Sequence, residues 1–282
     1  MYLPAELLSA RILITVKTYP LPSSKYDELV CTAGLLEDGK WIRIYPIPFR
    51  ALSYEKQYNK YVWVELDLVR NISDFRPESY KPRRMADEAI NILEKVNTEN
   101  NWAQRKSYVF KEVFTSLNAL IKLAKSDKKK SLGTLKPKEI IDFVIEPTER
   151  EWKKEWRNQL RQYNLFDLDE TGQGKERKVI PKLPYKYSYK FLTEGDNKPR
   201  KLMIEDWELG ALYWRSYYAN GCDEEAANHQ VRKKYAEEFL SQKELYFFMG
   251  TTLQYHLTSD SPFIIIGVFY PLKAEAHQTL MF

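Results

Sequence analysis

Cysteine and histidine are scarce in this chain. Its 282 residues hold two cysteines, Cys31 in an apolar strand pattern and Cys222 in an Asn-Gly-Cys-Asp turn. Two distant thiols in those settings do not build a disulfide framework. Three histidines (His229, His256, His277), with no CxxC or HxxxH spacing, give a closed zinc site no support. There is no Gly-x-Ser-x-Gly elbow and no glycine-rich phosphate loop, Leu132-Gly133-Thr134 standing alone. Nucleophilic and P-loop chemistry therefore have little to rest on. His256, in QYHLTSDSP, is the one histidine worth testing as an acid–base group. No apolar run approaches membrane-spanning length, and MYLPAELLSARILITV has acidic Glu6 ahead of its apolar residues and no basic lead. The expectation is a cytoplasmic protein without a membrane partner.

Charge and aromatic residues are plentiful. Charged residues make up 29% and aromatics 14%, with 20 Tyr and 7 Trp, an ordinary globular composition. The length fits one large domain or two small ones. A net charge of +5 and a pI near 8.8 permit a polyanionic partner without requiring one, so local clusters must carry that argument.

The pattern along the chain predicts an α+β protein: an N-terminal antiparallel β unit, barrel-like, then a helical middle and a C-terminal αβ layer. Residues 1–82 form the β-rich unit. Strands at 11–19 and 61–70 alternate apolar and polar residues. Between them, Glu28 to Arg50 reads as a hairpin whose Asp38-Gly39 pair suits positive φ at both central turn positions. Residues 83–166 form the helical region, with apolar stripes over 84–97 and 101–125 and a helix over 149–163 capped by Thr148. Residues 137–146 fit a helix turn or a buried strand equally. Residues 167–184 read as a linker and 185–272 as the αβ unit. The latter has helices at 202–218 and 223–241 and strands at 244–250 and 262–270, the last apolar on both faces and so a central strand. Residues 273–282 form an interaction tail.

Three groups of residues carry possible chemistry. The first is basic and aromatic. Trp41, Arg43 and Tyr45 share one strand face, followed by Arg50 and the loop FRPESYKPRR. Lys153, Lys154, Arg157 and Arg161 crowd one side of the 149–163 helix. Lys186 and Lys190 alternate with tyrosines. Cations neutralise phosphates and exposed rings stack bases, so these faces are candidates for binding nucleic acid; each is also what an ordinary amphipathic element looks like.

The second group is acidic. Glu65 and Asp67 share a strand face, and Asp206 and Glu208 stand beside Glu205 at a helix start. Converging carboxylates could hold Mg²⁺ as a nuclease does, although no lysine follows either pair in the Glu-x-Lys arrangement and a helix N-terminus favours acids anyway. No other cofactor and no resident metal is expected.

The third is the tail, Gln278-Thr279-Leu280-Met281-Phe282. It resembles the bacterial sliding-clamp-binding peptide, a glutamine followed by large apolar residues ending in Phe. The resemblance implies that Gln278 hydrogen-bonds at the rim of the clamp pocket while Met281 and Phe282 fill the groove. Leu280 stands where that pattern more often has a small or acidic residue. The alternative is a tail packed on its own core.

Together these give a leading expectation of a prokaryotic DNA-associated accessory protein recruited by a sliding clamp. A metal-dependent nuclease and a partner-binding module that never touches DNA are the alternatives.

Overall fold

The computed structural model describes residues 4–22, 28–84, 89–153 and 180–273. The expected α+β architecture is present, with a closed five-stranded barrel at the N-terminal end. The sheet holds strands β1 (Glu6–Lys17), β2 (Leu21–Pro22), β3 (Glu28–Leu36), β4 (Trp41–Ile47), β5 (Val62–Arg70), β6 (Ser79–Pro82) and β7 (Asn91–Lys95), of which β2 and β7 pair outside the five-stranded ring. The order is β1-β3-β4-β6-β5, and β5 pairs back on β1 to close the ring. Closure removes the sheet edges that a lone hairpin would leave open. The period-2 pattern decides what fills the interior: Ile12, Ile14, Ile42, Ile44, Val64 and Leu66 all point in.

The hairpin turn differs from the expected geometry. Gly39 alone adopts positive φ (83°), and its N–H donates to the Leu36 carbonyl at 2.8 Å. The loop is three residues long, with a left-handed glycine at its end, the next commonest hairpin connection.

After the barrel come α1 (Glu99–Val109), β8 (Val113–Phe114), α2 (Leu117–Lys125), β9 (Leu132–Leu135) and β10 (Glu139–Pro147). Two expected helices change. Within 84–97, residues Asn91–Lys95 form strand β7 instead, because β5 offers an open edge and Val64 pairs with Ile92 there. The stripe over 101–125 splits at β8, which runs parallel to β9. FRPESYKPRR is a loop only in part: its Ser79–Pro82 portion is barrel strand β6, and Tyr80 lies wholly inside.

The C-terminal part comprises β11 (Tyr185–Leu192), β12 (Arg200–Met203), α3 (Trp207–Ala219), α4 (Glu224–Arg232, continuing helically through Gln242), β13 (Tyr246–Thr251) and β14 (Phe263–Phe269). Strand β12 takes the first residues of the expected 202–218 helix. Two sheets result, β10-β11-β12 and β14-β13-β9-β8. β14 is buried on both faces as expected, yet it ends its sheet rather than lying at the centre. Ile204 bridges to Ile265 beyond it.

Aromatic side chains of two candidate basic-aromatic strands build the interior. On β11, Tyr187 and Tyr189 pack with Phe143, Tyr235 and Phe247. On β4, Trp41 meets Phe248 edge-on at 5.2 Å, because the outer wall of the barrel is covered by the β13–β14 sheet.

Arg43, 2% exposed, lies at that junction. Its guanidinium donates to the Ser131 hydroxyl (2.9 Å) and the Thr251 carbonyl (3.3 Å). Arg76 donates to the same Thr251 carbonyl and to Asp74 (2.8 Å), and Asp74 also accepts from Ser79 (2.6 Å). Glu78 accepts both the N–H and the hydroxyl of Ser131 (3.0 and 2.8 Å). His256 completes the seam, bonded to the Thr251 hydroxyl (2.7 Å) and the Ala124 carbonyl (3.0 Å). A buried imidazole held at both nitrogens is a structural link, and burial lowers its pKa. No helix among the described residues is long and apolar enough to cross a membrane.

Replacing Arg43 with Met removes the donor to the Ser131 hydroxyl and leaves the Thr251 carbonyl with Arg76 alone. The expected cost is about 2–4 kcal/mol, read from urea unfolding. Tyr45→Ala, at the exposed end of the same strand face, should cost under about 1 kcal/mol.

Candidate functional site

The predicted basic-aromatic faces do not survive as drawn. Trp41 and Arg43 are buried between the two halves, leaving Tyr45 and Arg50 exposed without them. Lys186 and Lys190 are exposed on β11, but their strand neighbours on β10 are Glu146 and Asp142, so that face carries balanced charge. The tyrosines beside them point into the core and cannot stack a base. Lys153 is exposed; Lys154, Arg157 and Arg161 lie outside the described residues, as does most of the expected 149–163 helix. Gln278, Leu280, Met281 and Phe282 also lie outside them.

The carboxylates are engaged structurally. Asp67 accepts the Ser9 N–H at 2.8 Å, and Glu65 stands opposite Arg11 in the β1–β5 register. Asp206 is the N-cap of α3, accepting the Glu208 N–H at 2.9 Å. Both of its oxygens accept from Lys60 Nζ, at 2.7 and 2.8 Å, and this pair is buried. Burial works against the Lys60 charge, yet Asp206 and Glu208 raise its pKa above the ordinary value. Among the described residues, no three His, Cys, Asp or Glu side chains converge as a metal-binding group.

Beside this pair lies a second buried amine that the sequence pattern does not single out. Lys17 Nζ donates to the Tyr58 carbonyl at 3.0 Å and stands 4.2 Å from the Phe49 ring centre and 5.3 Å from that of Trp207. Burial, followed by repulsion from Lys60, lowers its pKa to about 8. Alternation along β1 carries this residue to the mouth of the barrel, where the start of α3 closes over it. Lys17 is 6% exposed, so the amine is enclosed and not presented to a substrate.

The surface feature that does gather cations is a cleft of about 640 Å³ at the junction of barrel and C-terminal part. The hairpin turn contributes Lys40 and the rim of Trp41. The end of α1 leads to Lys111, and the segment after α2 brings Lys128 and Lys130. Lys40 and Lys130 are paired with Asp38 and Glu112. Lys111 Nζ donates to the Glu37 carbonyl, at 2.7 Å, and is in no ion pair among the described residues, although Asp38 is near enough for its pKa to be lowered by this charge. Lys128 is exposed and has no acid within ion-pair distance among the described residues, while Lys129 stands 5.5 Å from the half-exposed Phe75 ring. The Lys128–Lys130 run is visible in the sequence as a helix exit. Its meeting with the hairpin turn is set by the tertiary fold.

Residues 113–282 match the family described as a domain of unknown function (DUF8757), and the chain belongs to it. Residues 8–111 match a second such domain (DUF8758). The division falls between α1 and β8, and the lysine cleft draws residues from both sides of it. No curated protein matches the chain.

The enclosed Lys17 gives a pH dependence of definite sign. An unfolded chain holds the lysine proton up to its ordinary pKa, while folded Lys17 releases it near about 8. Between these values the unfolded state binds more protons, so stability rises with pH, and below about 8 the charged amine costs folding about 3 kcal/mol. Lys17→Met removes this cost. Its stability relative to the natural protein should be highest near neutrality and should fall by up to about 3 kcal/mol from pH 8 to 10.5 in stepped urea titrations. A constant difference across that range contradicts the assignment.

Proposed function

We propose that the protein is a prokaryotic, non-enzymatic, nucleic-acid-associated accessory protein that holds a phosphate backbone in the lysine-lined cleft and is brought to replicating DNA by a sliding clamp. The observation that carries the first part is the cleft itself. Two segments, the one after α1 and the one after α2, bring Lys111 and Lys128 to one cleft beside the hairpin turn, and neither is in an ion pair among the described residues, although Asp38, Glu78 and Glu112 also line it. Lysines outside ion pairs on one face are the electrostatic footprint of a polyanion partner. The clamp-binding part rests on the sequence of Gln278–Phe282 alone.

The commitment of Asp206 to Lys60 and of Asp67 to Ser9 favours an accessory role over a nuclease. Recruiting these carboxylates to a metal would leave a buried Lys60 charge without its partner, a costly exchange. Contacts to phosphate give affinity and little sequence preference, which suits a protein positioned by another factor.

The double variant Lys111→Glu/Lys128→Glu should weaken binding to a mixed-sequence oligonucleotide by about tenfold or more. It should also reduce the slope of log affinity against log salt by about 2. Lys186→Glu/Lys190→Glu, on the balanced face, should change neither. An unchanged affinity and slope for the cleft variant overturns the cleft assignment. Deleting residues 278–282 should abolish co-elution with a bacterial sliding clamp while leaving oligonucleotide affinity intact; persistent co-elution removes the clamp from the account.

A further inference from the structure

A second cavity, of about 360 Å³, lies on the far side of the Asp206 helix cap. Tyr19, Trp152 and Tyr185 contribute aromatic walls, the exposed Lys186 contributes a cation, Lys182 is paired with Glu149 (3.3 Å), and Glu205 contributes a second carboxylate. The volume is at the small end of the range for specific ligand sites, about 300–1,000 Å³, and suits a single nucleotide rather than a duplex.

Glu205 is the distinguishing residue. Its backbone is pinned, the N–H donating to the Ile265 carbonyl at 2.8 Å. Its carboxylate makes no hydrogen bond or ion pair with any described residue, whereas adjacent Asp206 receives two bonds from Lys60. Enclosure raises the Glu205 pKa with nothing to offset it. The side chain is part-exposed, so a ligand that supplies two N–H donors would replace solvent at this carboxylate with charge-assisted bonds.

The surroundings narrow the ligand. Aromatic walls favour a flat ring. A carboxylate pairs best with two adjacent N–H donors, and among the bases only guanine offers that edge, through N1–H and the N2 amino group. Adenine and cytosine each place a donor beside an acceptor, and uracil flanks one donor with two acceptors. A guanidinium offers the same donors but brings no phosphate to the exposed Lys186. The Tyr19 hydroxyl is already engaged, accepting from Trp214 (2.8 Å) and donating to the Pro181 carbonyl (2.7 Å), so that ring is held in place as a wall.

We infer that this cavity binds a guanine nucleotide, with Glu205 accepting from the base edge, the aromatic side chains flanking the ring, and Lys186 facing the phosphate. The site is separate from the lysine cleft and does not depend on the cleft's role. The test is calorimetric titration of the full chain with GMP, AMP, CMP and UMP. GMP should bind saturably and at least about tenfold more tightly than the others, the discrimination expected of one bidentate base contact. Glu205→Gln, which offers that edge one acceptor and one clashing donor, should lose about tenfold for GMP. Lys186→Ala should weaken GMP but not guanosine, a distinction that mere loss of folding cannot produce. Equal binding of all four nucleotides, tighter binding of arginine amide than of GMP, or no saturable GMP binding up to about 10 mM overturns the inference. Loss of oligonucleotide binding in the cleft variant with GMP binding retained separates this site from the cleft.

Discussion

One carbonyl oxygen joins the two halves of this protein. The Thr251 carbonyl receives Arg43 from β4 and Arg76 from the segment that leads into β6, while Ser131 bridges Arg43 to Glu78. Every partner in this seam is buried, so each charge and dipole must be answered inside the protein. Losing any one of them leaves others unsatisfied. The seam fixes the barrel wall against the β13–β14 sheet, and Trp41 against Phe248 fills the apolar space beside it.

That junction also determines where charge can collect outside. With the barrel held against the C-terminal sheet, the hairpin turn comes to lie beside the end of α1 and the lysine run after α2. The cleft is therefore a consequence of docking. Because it draws on both matched domains, neither alone would assemble it. The same docking brings α3 over the barrel mouth, where Asp206 meets Lys60 and encloses Lys17. Asp206, which looks available in the sequence, is engaged there by Lys60, and this favours the accessory role over the nuclease alternative.

Much of the fold was legible. Alternation in β1, β4 and β5 correctly gave strands and the residues of the barrel interior, and Asp38-Gly39 correctly marked the hairpin. The outward faces were misread for a physical reason. A strand with Trp41, Arg43 and Tyr45 on one side looks solvated when considered alone, and only a second layer from distant sequence makes that side an interior. Tyr187 and Tyr189, which alternate with Lys186 and Lys190, are covered by the helices that follow them. The short strand Asn91–Lys95 was missed because its hydrogen-bonding partner, the open edge of β5, is a tertiary feature that helical spacing cannot reveal. Of the acidic candidates, the helix N-cap role of Asp206 was foreseeable, but its partner Lys60 is 146 residues away. Glu205, its neighbour, drew no separate attention because being left without a partner is a property of the folded environment.

The central claim is that a phosphate backbone occupies the cleft between barrel and C-terminal sheet. Backbone hydrogen exchange of the full chain, measured with and without a single-stranded oligonucleotide, tests it directly. The account predicts added protection at the hairpin turn around Gly39, at Lys111 and across Lys128–Lys130, with the β10–β11 outer face unchanged. Protection confined to Lys186, Lys190 and their strand neighbours, with the cleft unaltered, would contradict it.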